Sequence, residues 1–432
     1  MSNPSQFRLP KDSKAWQNAV DAIADLLPDN TNLRDFEALQ SLPVFALIVV
    51  LPAPIPDLDI HRYIQSWVDD QPNWHLVTVA EDKDANYVHF NIDHNDIEAV
   101  HVAEAALEAG NFSQSDNDSL ENSTLKNNKA NLDKNLSANP AKSFVAAHVF
   151  RYLLVPVTKT LMHPAKKTAA AHIIDDQLTS SLRQDLREHY QQDQADPLEA
   201  LNVVDCHILS ISPMLRTHKL VCFDMDSTLI EQEVIVELAK KAGVGDEVAE
   251  ITESAMRGEI EFDESFARRL ALLKGVSTSV LDDICANLTL STGAKATISA
   301  FKALGYHTVL VSGGFTYFAR YIADILGIDE VHANRLDISD GKVTGEVQLP
   351  IINGAKKAAI AAQTAARLGI DMSQVVCVGD GANDLPMMMA ADLGVAYRAK
   401  PIVQARADAA VNVTGVEGVL YALGYPELLQ DD

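Results

Sequence analysis

Residues 220–230 read Leu-Val-Cys-Phe-Asp-Met-Asp-Ser-Thr-Leu-Ile, and this stretch decides the fold. A short apolar run bounded by polar turn residues reads as a buried strand. Here it stops abruptly at two carboxylates, Asp224 and Asp226. Far downstream the apolar run Val375–Val378 ends in Gly379-Asp380-Gly381-Ala382-Asn383-Asp384. Two strands that each end in a carboxylate cluster suit a parallel α/β sheet, where ligands sit at the carboxyl ends of the strands. Carboxylates gathered there can hold Mg²⁺, a hard cation that prefers oxygen ligands. An Asp can also accept a phosphoryl group covalently.

Working outward, the chain from Lys219 onward alternates strand and helix patterns. Lys219–Phe223, His307–Val311, Val375–Val378 and Leu393–Ala396 read as strands of a Rossmann-like, doubly wound parallel sheet. Val331–Ile338 and Lys342–Val347, joined through Ser339-Asp340-Gly341, read as a β-hairpin. From about 240 to 304 consecutive amphipathic patterns replace the alternation, which predicts an inserted helical cap. This α/β domain is therefore expected over 216–432.

The N-terminal half reads differently. Val44–Leu51, His75–Ala80 and Tyr87–Ile92 are expected strands, and Asp96–Ala109 an expected helix. Residues 111–143 are rich in Asn, Ser, Asp and Lys, and cannot bury enough apolar surface to offset ordering entropy. They are expected to form a disordered linker or loop. Beyond it come a strand near His148–Thr158, a helix near Asp175–Tyr190 and a strand near Asn202–Ile211. The expected organisation is an α+β module over 1–110, the linker, and a second part of the α+β region over 144–215. In size and position this region resembles the regulatory amino-acid-binding, ACT-like modules that precede some biosynthetic enzymes.

Composition narrows the function. The 432 residues carry a net charge of −25, which argues against nucleic-acid binding. An acidic protein that handles an anion must concentrate positive charge locally, so individual Lys and Arg residues matter. The four cysteines, Cys206, Cys222, Cys285 and Cys377, show no metal-ligand spacing. Buried reduced thiols fit a cytoplasmic protein. The N-terminus shows no apolar signal-peptide core, and the longest apolar run, Val44–Ala53, is too short to span a bilayer.

Each motif has a chemical logic and a plainer alternative. Asp224 at a strand tip can attack phosphorus. Asp226, two positions on, can share its side and do acid–base work, although paired acids also cap loops. Thr228 can fix the turn or touch phosphate oxygens. Ser312-Gly313-Gly314 offers a hydroxyl and backbone N–H groups that can cradle phosphate, or an ordinary strand-to-helix turn. Lys357 opposes the dipole at a helix start, which a role in neutralising phosphoryl charge would offset; Lys356 competes for that role. Asp380 can ligate Mg²⁺, with Asp384 orienting a ligand from behind.

In that order FDMDSTLI, SGGF, a downstream Lys and GDGAND resemble the haloacid dehalogenase-like phosphohydrolases, and within them the phosphoserine phosphatase family. The resemblance covers about residues 217–425. It implies a Rossmann-like core with a small helical cap, Mg²⁺ dependence and an aspartyl-phosphate intermediate. Asp224 would be the nucleophile and Asp226 the acid/base. Asp224, the backbone carbonyl of Asp226, and Asp380 would hold Mg²⁺. Ser312, Gly313 and Lys357 would bind the phosphoryl group, with Asn383 beside the substrate. The cap segment ITESAMRGEIEFDESFARRL matches the family pattern and implies Glu233 for a substrate ammonium. It also implies Arg269 for a carboxylate, with Met256 and Phe262 as apolar walls. From the residues alone, Arg268 rivals Arg269.

The implied substrate is O-phospho-L-serine, cleaved to L-serine and phosphate in the last step of serine biosynthesis. A homodimer is a habit of the family, and an amino-acid effector on the N-terminal half is what the ACT-like resemblance implies. Two alternatives stand beside this: the same chemistry on another small phosphomonoester, or a non-catalytic amino-acid sensor.

Overall fold

The computed structural model describes residues 44–52, 60–77, 147–156, 204–210 and 218–425 apart from 258, together with residue 21 and helical positions between 181 and 186. The expected strand Tyr87–Ile92, the helix Asp96–Ala109 and the linker 111–143 lie outside the described residues. The chain forms two compact units. One comprises 1–98, 144–217 and 408–432, and the other 99–143 and 218–407.

The first unit contains β1 (Phe45–Pro52), β2 (Trp74–Leu76), β3 (Ala147–Pro156) and β4 (Asp205–Ser210) in one sheet of order β2-β3-β1-β4. Every neighbouring pair is antiparallel. A helix, Ile60–Asp69, connects β1 to β2 and buries Ile60, Ile64, Trp67 and Val68. Leu182 and Leu186 join the same core. This is the strand order of a ferredoxin-like βαββαβ module. The two stretches of α+β pattern thus contribute strands to a single sheet.

The second unit is built on parallel strands in the order β11-β10-β5-β6-β7: β5 (Leu220–Phe223), β6 (His307–Phe315), β7 (Glu330–Asn334), β10 (Val375–Gly379) and β11 (Leu393–Tyr397). The central strands β5 and β10, with β11, are apolar along their length, as suits a parallel sheet covered by helices. Every residue of β5, β10 and β11 is buried. The chain runs outward from β5 to β6 and β7, then returns to β10 on the other side of β5. The β5/β10 boundary is therefore a topological switch point, where such sheets bind ligands.

Between β5 and β6 the chain leaves and re-enters through a narrow neck. Ile230 bridges Leu290, and the Glu231 and Ser291 amides donate to the Thr289 and Leu229 carbonyls. The helices Val234–Ala242, Gly245–Met256, Phe262–Leu272 and Thr278–Asn287 lie beyond this neck. The next helix, Ala294–Ala303, packs on β6 instead.

One expected strand is corrected. Val331–Ile338 is not one hairpin arm. Its first part is β7, paired in parallel with β6, and only β8 (Leu336–Ser339) pairs with β9 (Lys342–Val347). The apolar positions shift phase here, from Val331 and Ala333 to Leu336 and Ile338 across Asn334-Arg335, and the chain changes partner at that shift. The hairpin tip is bonded to the cap: Gly275 N–H donates to the Val343 carbonyl, Val343 N–H to Val276, and Thr278 N–H to Gly341.

Candidate active site

The carboxyl ends of β5 and β10 bring the two acidic motifs together. Cys222 pairs with Cys377 and Phe223 with Val378 across the two strands, so Asp224 and Asp380 emerge side by side. Carboxylate oxygens of Asp224, Asp380 and Asp384 all lie within 4.8 Å of one another. Asp384 reaches this point because residue 379 is glycine. A Cβ there would sit 2.4 Å from the Asp384 Cγ. The Gly381 amide donates to Asp384 Oδ2 at 3.0 Å.

Lys357 lies in the first turns of the helix Gly354–Leu368 and is fully buried. Its Nζ donates to Asp224 Oδ1 and to Asp384 Oδ1, both at 2.7 Å. Lys356 is half-exposed, and its amide is bonded to the capping side chain of Asn353. The structure thus separates the two lysines. Gly354 lets this helix start approach the second motif, since a Cβ would come 2.9 Å from the Asn383 carbonyl oxygen.

Asp226 follows in the turn after β5. Ser227 beside it has φ 56, a left-handed conformation uncommon for Ser, and donates to Glu233 Oε1 at 2.9 Å. The Asp226 Oδ1 is buried and has no hydrogen-bond partner among the described residues. Thr228 Oγ1 donates to Asp380 Oδ1 at 3.3 Å, so it serves the acidic cluster.

Burial, then the Asp384 carboxylate, push the Asp224 carboxyl up to about 8 against the pull of Lys357. Burial, with Asp384 and Glu233, pushes Asp380 up to about 7. Burial, with Glu233 and Asp224, holds Asp226 well above the usual carboxylate range. Burial would lower the Lys357 ammonium, but Asp224 and Asp384 outweigh it and raise it. Asp224, Asp226, Asp380 and Asp384 set four carboxyl groups against one ammonium, so holding all of them ionised would need further positive charge. The donors are all oxygens, so the cluster is compatible with a hard divalent cation.

On β6 the strand does not stop at Val311, as expected from the sequence, but continues to Phe315 with a register shift between those residues. The irregularity holds Ser312-Gly313-Gly314. Ser312 Oγ accepts from the Gly314 amide at 2.8 Å, and a Cβ at Gly314 would lie 3.2 Å from Asp226 Oδ2. The SGG segment and the DxD motif therefore face one another.

The cap supplies a further wall. The ring of Phe262 comes within 3.7 Å of a Cβ built on Gly313 and stacks with Phe266, which meets Phe315 of the core. Asn353 Nδ2 donates to Asp263 Oδ1 at 3.0 Å. Arg268 is exposed and paired with Glu264 one turn back. Arg269 is largely buried; desolvation lowers its pKa while the nearby Glu233 opposes that. The two arginines are separated as cleanly as the two lysines. Met256 ends its helix, and its side chain lies outside the described residues.

A strand-tip carboxylate cluster with a buried Lys, opposite a Ser-Gly-Gly bulge and beneath a helical cap, defines a class of phosphoryl-transfer enzyme. Residues 221–389 match the family model described as haloacid dehalogenase-like hydrolase. The chain is 44% identical over 241 residues to a probable phosphoserine phosphatase of Schizosaccharomyces pombe, covering 55% of this chain and 81% of that protein. It is 47% identical over 221 residues to a phosphoserine phosphatase of Streptomyces coelicolor, covering 51% of this chain and 54% of the relative. A haloacid dehalogenase family hydrolase structure from Salmonella enterica superposes with a TM-score of 0.58 at 24% identity. That match covers 88% of this chain and 98% of the other, and shows a shared fold. The chain belongs to the haloacid dehalogenase-like hydrolases, and its relatives within them are phosphoserine phosphatases. Among the described residues no helix is long and apolar enough to cross a membrane.

Asn334 is the site-adjacent residue that sequence reasoning missed. It is buried, and its side chain bonds both the SGG bulge and the segment ahead of Lys357. An amide side chain at the end of β7, at the same sheet end as the motifs, was the available signal.

Proposed function

We propose that this protein hydrolyses O-phospho-L-serine to L-serine and phosphate through a phospho-Asp224 intermediate. The observation that carries this reading is the fully buried Lys357 between Asp224 and Asp384, facing the DxD turn and the SGG bulge. Asp224 attacks phosphorus, and the bond from phosphorus to the serine oxygen breaks. The departing oxygen takes a proton from Asp226, whose raised pKa suits a proton-bearing acid at neutral pH. Water then gives a proton to the Asp226 carboxylate and attacks phosphorus. The bond to Asp224 breaks and phosphate leaves.

Lys357, the Ser312 hydroxyl and the Gly313 amide neutralise the phosphoryl oxygens. Mg²⁺ fits the all-oxygen donor set, held by Asp224, Asp380 and the Asp226 carbonyl. Asp384 spends its oxygens on Lys357 and the Gly381 amide, which supports a role behind the ligands. When bound, the ion supplies charge neutralisation to the transferring phosphoryl group.

Glu233 and Arg269 carry opposite charges on the cap side of the site, a pattern that suits the ammonium and carboxylate of an amino acid. Phe262 provides an apolar wall, and Asn383 lies beside the substrate. This is the reaction that completes serine biosynthesis in the cytoplasm. The ferredoxin-like topology supports an effector-binding role for the first unit, and a homodimer follows family habit.

Phosphate release from O-phospho-L-serine, measured beside O-phosphohomoserine, a sugar phosphate and an aryl phosphate, tests the assignment. The expected result is the highest kcat/KM for O-phospho-L-serine. A preference for an ester without ammonium and carboxylate would refute the substrate and leave the chemistry.

A further inference from the structure

Strand β6 loses register with β7 after Val311 and regains it at Phe315, which pairs with Asn334. The intervening bulge carries Ser312 and Gly313, the phosphate cradle of the reading above. A bulge frees backbone groups from the ladder and re-aims them, at the cost of leaving the segment without strand partners. Something must hold it in one geometry if it is to act as a preorganised phosphate site.

Asn334 is placed to do so. Its side chain is 3% exposed. Its Nδ2 donates to the Gly313 carbonyl at 2.8 Å, and its Oδ1 accepts from the Ile352 amide at 2.8 Å. A carbonyl can only accept and an amide N–H only donate, so these partners fix the orientation of the side-chain amide. The Ile352 carbonyl in turn lies 3.6 Å from a Cβ built on Gly313. Residues 351–353 lead directly into the helix that carries Lys357. One buried amide therefore sets the spacing between the bulge and the segment that delivers the lysine. It also closes the base of the hairpin β8–β9, whose tip is bonded to the cap.

We propose that Asn334 is a positioning residue for phosphoryl binding: it pins the Gly313 carbonyl and the Ile352 amide so that Ser312, Gly313 and Lys357 converge on one phosphate. The proposal rests on the phosphatase reading for the identity of the cradle, but its test does not require turnover.

Calorimetric titration of the full chain with inorganic phosphate, in Mg²⁺ buffer, compares wild type with Asn334→Asp and Asn334→Ala. Asn334→Asp keeps size and the acceptor for Ile352 but loses the donor to Gly313. Phosphate Kd should rise by about tenfold in Asn334→Asp, the order set by one buried hydrogen bond, and further in Asn334→Ala. The KM for O-phospho-L-serine should rise in parallel. Stoichiometry counts the folded fraction separately, and neither Kd nor KM depends on it. Variants that lower only stoichiometry or apparent kcat, with Kd and KM unchanged, would make Asn334 a merely structural residue and overturn the proposal. So would a wild-type protein that binds no phosphate. Phosphate binding that weakens in the variants, in a protein that leaves O-phospho-L-serine intact, would support Asn334 and refute the substrate instead.

Discussion

Replacing Lys357 by Met keeps the length of the side chain and removes its charge, and the structure fixes what should follow. The ammonium is wholly buried and 2.7 Å from each of two carboxylate oxygens. Breaking a buried ion pair ordinarily costs about 3–5 kcal/mol, because a charge is left uncompensated. Here the cost has an escape. Asp224 is already pushed up to about 8 with Lys357 present, and loses its main favourable charge without it. Without the ammonium the carboxyl is raised further and stays protonated over a wider pH range instead of remaining as a bare buried charge. The loss of stability should therefore sit near the low end, about 3 kcal/mol. That corresponds to a fall in Tm of about 6–12 °C for a domain of this size. It should be read in EDTA, so that cation binding does not offset it.

Activity has no such escape. Lys357 draws Asp224 toward the ionised form that attacks phosphorus, so its loss disfavours the nucleophile, and loss of one charge-stabilising donor alone costs about 10²–10³ in kcat. The combined fall in kcat/KM for O-phospho-L-serine should exceed about 10³. Calorimetry across pH, beside steady-state phosphate release, measures both. The stability deficit should shrink toward acid, where the carboxyls are protonated and need no partner. A variant that keeps more than about a tenth of wild-type kcat/KM would refute the reasoning. So would a stability deficit that does not vary with pH.

Two further outcomes follow from the same geometry. Arg269→Ala should raise KM for O-phospho-L-serine by about 10–100-fold, the worth of a charge-assisted hydrogen bond, with little change for an aryl phosphate. Arg268→Ala, which loses only an exposed pair with Glu264, should change neither; equal effects of the two substitutions would remove Arg269 from recognition. Second, the Asp380 and Asp224 carboxyls are raised to about 7 and about 8, above the ordinary value of 3.8, chiefly by burial. A raised pKa means that the fold prefers the protonated group. The stability gained this way is fully present below the ordinary value of 3.8, falls as pH rises from there, and is lost by about 7 for Asp380 and about 8 for Asp224. Without cation, Tm should fall across that window. The rise in Tm given by Mg²⁺ should grow across it, because the ion competes with those protons. A Mg²⁺ effect independent of pH would contradict this.

The sequence carried the acidic half of the candidate site plainly, because those carboxylates sit on strand tips. An apolar run that ends in carboxylates announces both a buried strand and the polar group at its end. The same logic failed at β7. Reading Val331 to Ile338 as one strand passed over the phase shift at Asn334-Arg335, where the pairing divides between the parallel sheet and the hairpin. The extent of β6 was missed for a related reason. Ser312-Gly313-Gly314 looks like a turn, and nothing local reveals that Phe315 rejoins the ladder against Asn334. The adjacent pairs Lys356/Lys357 and Arg268/Arg269 could not be resolved from residue type. Helix phase decides which member points inward, and that depends on where each helix begins. Among the described residues, β1 to β4 fall within or overlap strands expected from the sequence. Their union into one sheet was not legible, since β2 and β3 are separated by a long polar tract that hides their pairing.

The central claim is that Asp224 carries the phosphoryl group. Acid quenching of the protein during turnover of O-phospho-L-serine with Mg²⁺, followed by peptide mass spectrometry, tests it directly. The account predicts one phosphoryl group on the peptide that contains Asp224, on Asp224 itself, and neither label nor turnover in Asp224→Asn. Rapid phosphate release with no label on Asp224, or turnover retained in Asp224→Asn, would contradict it.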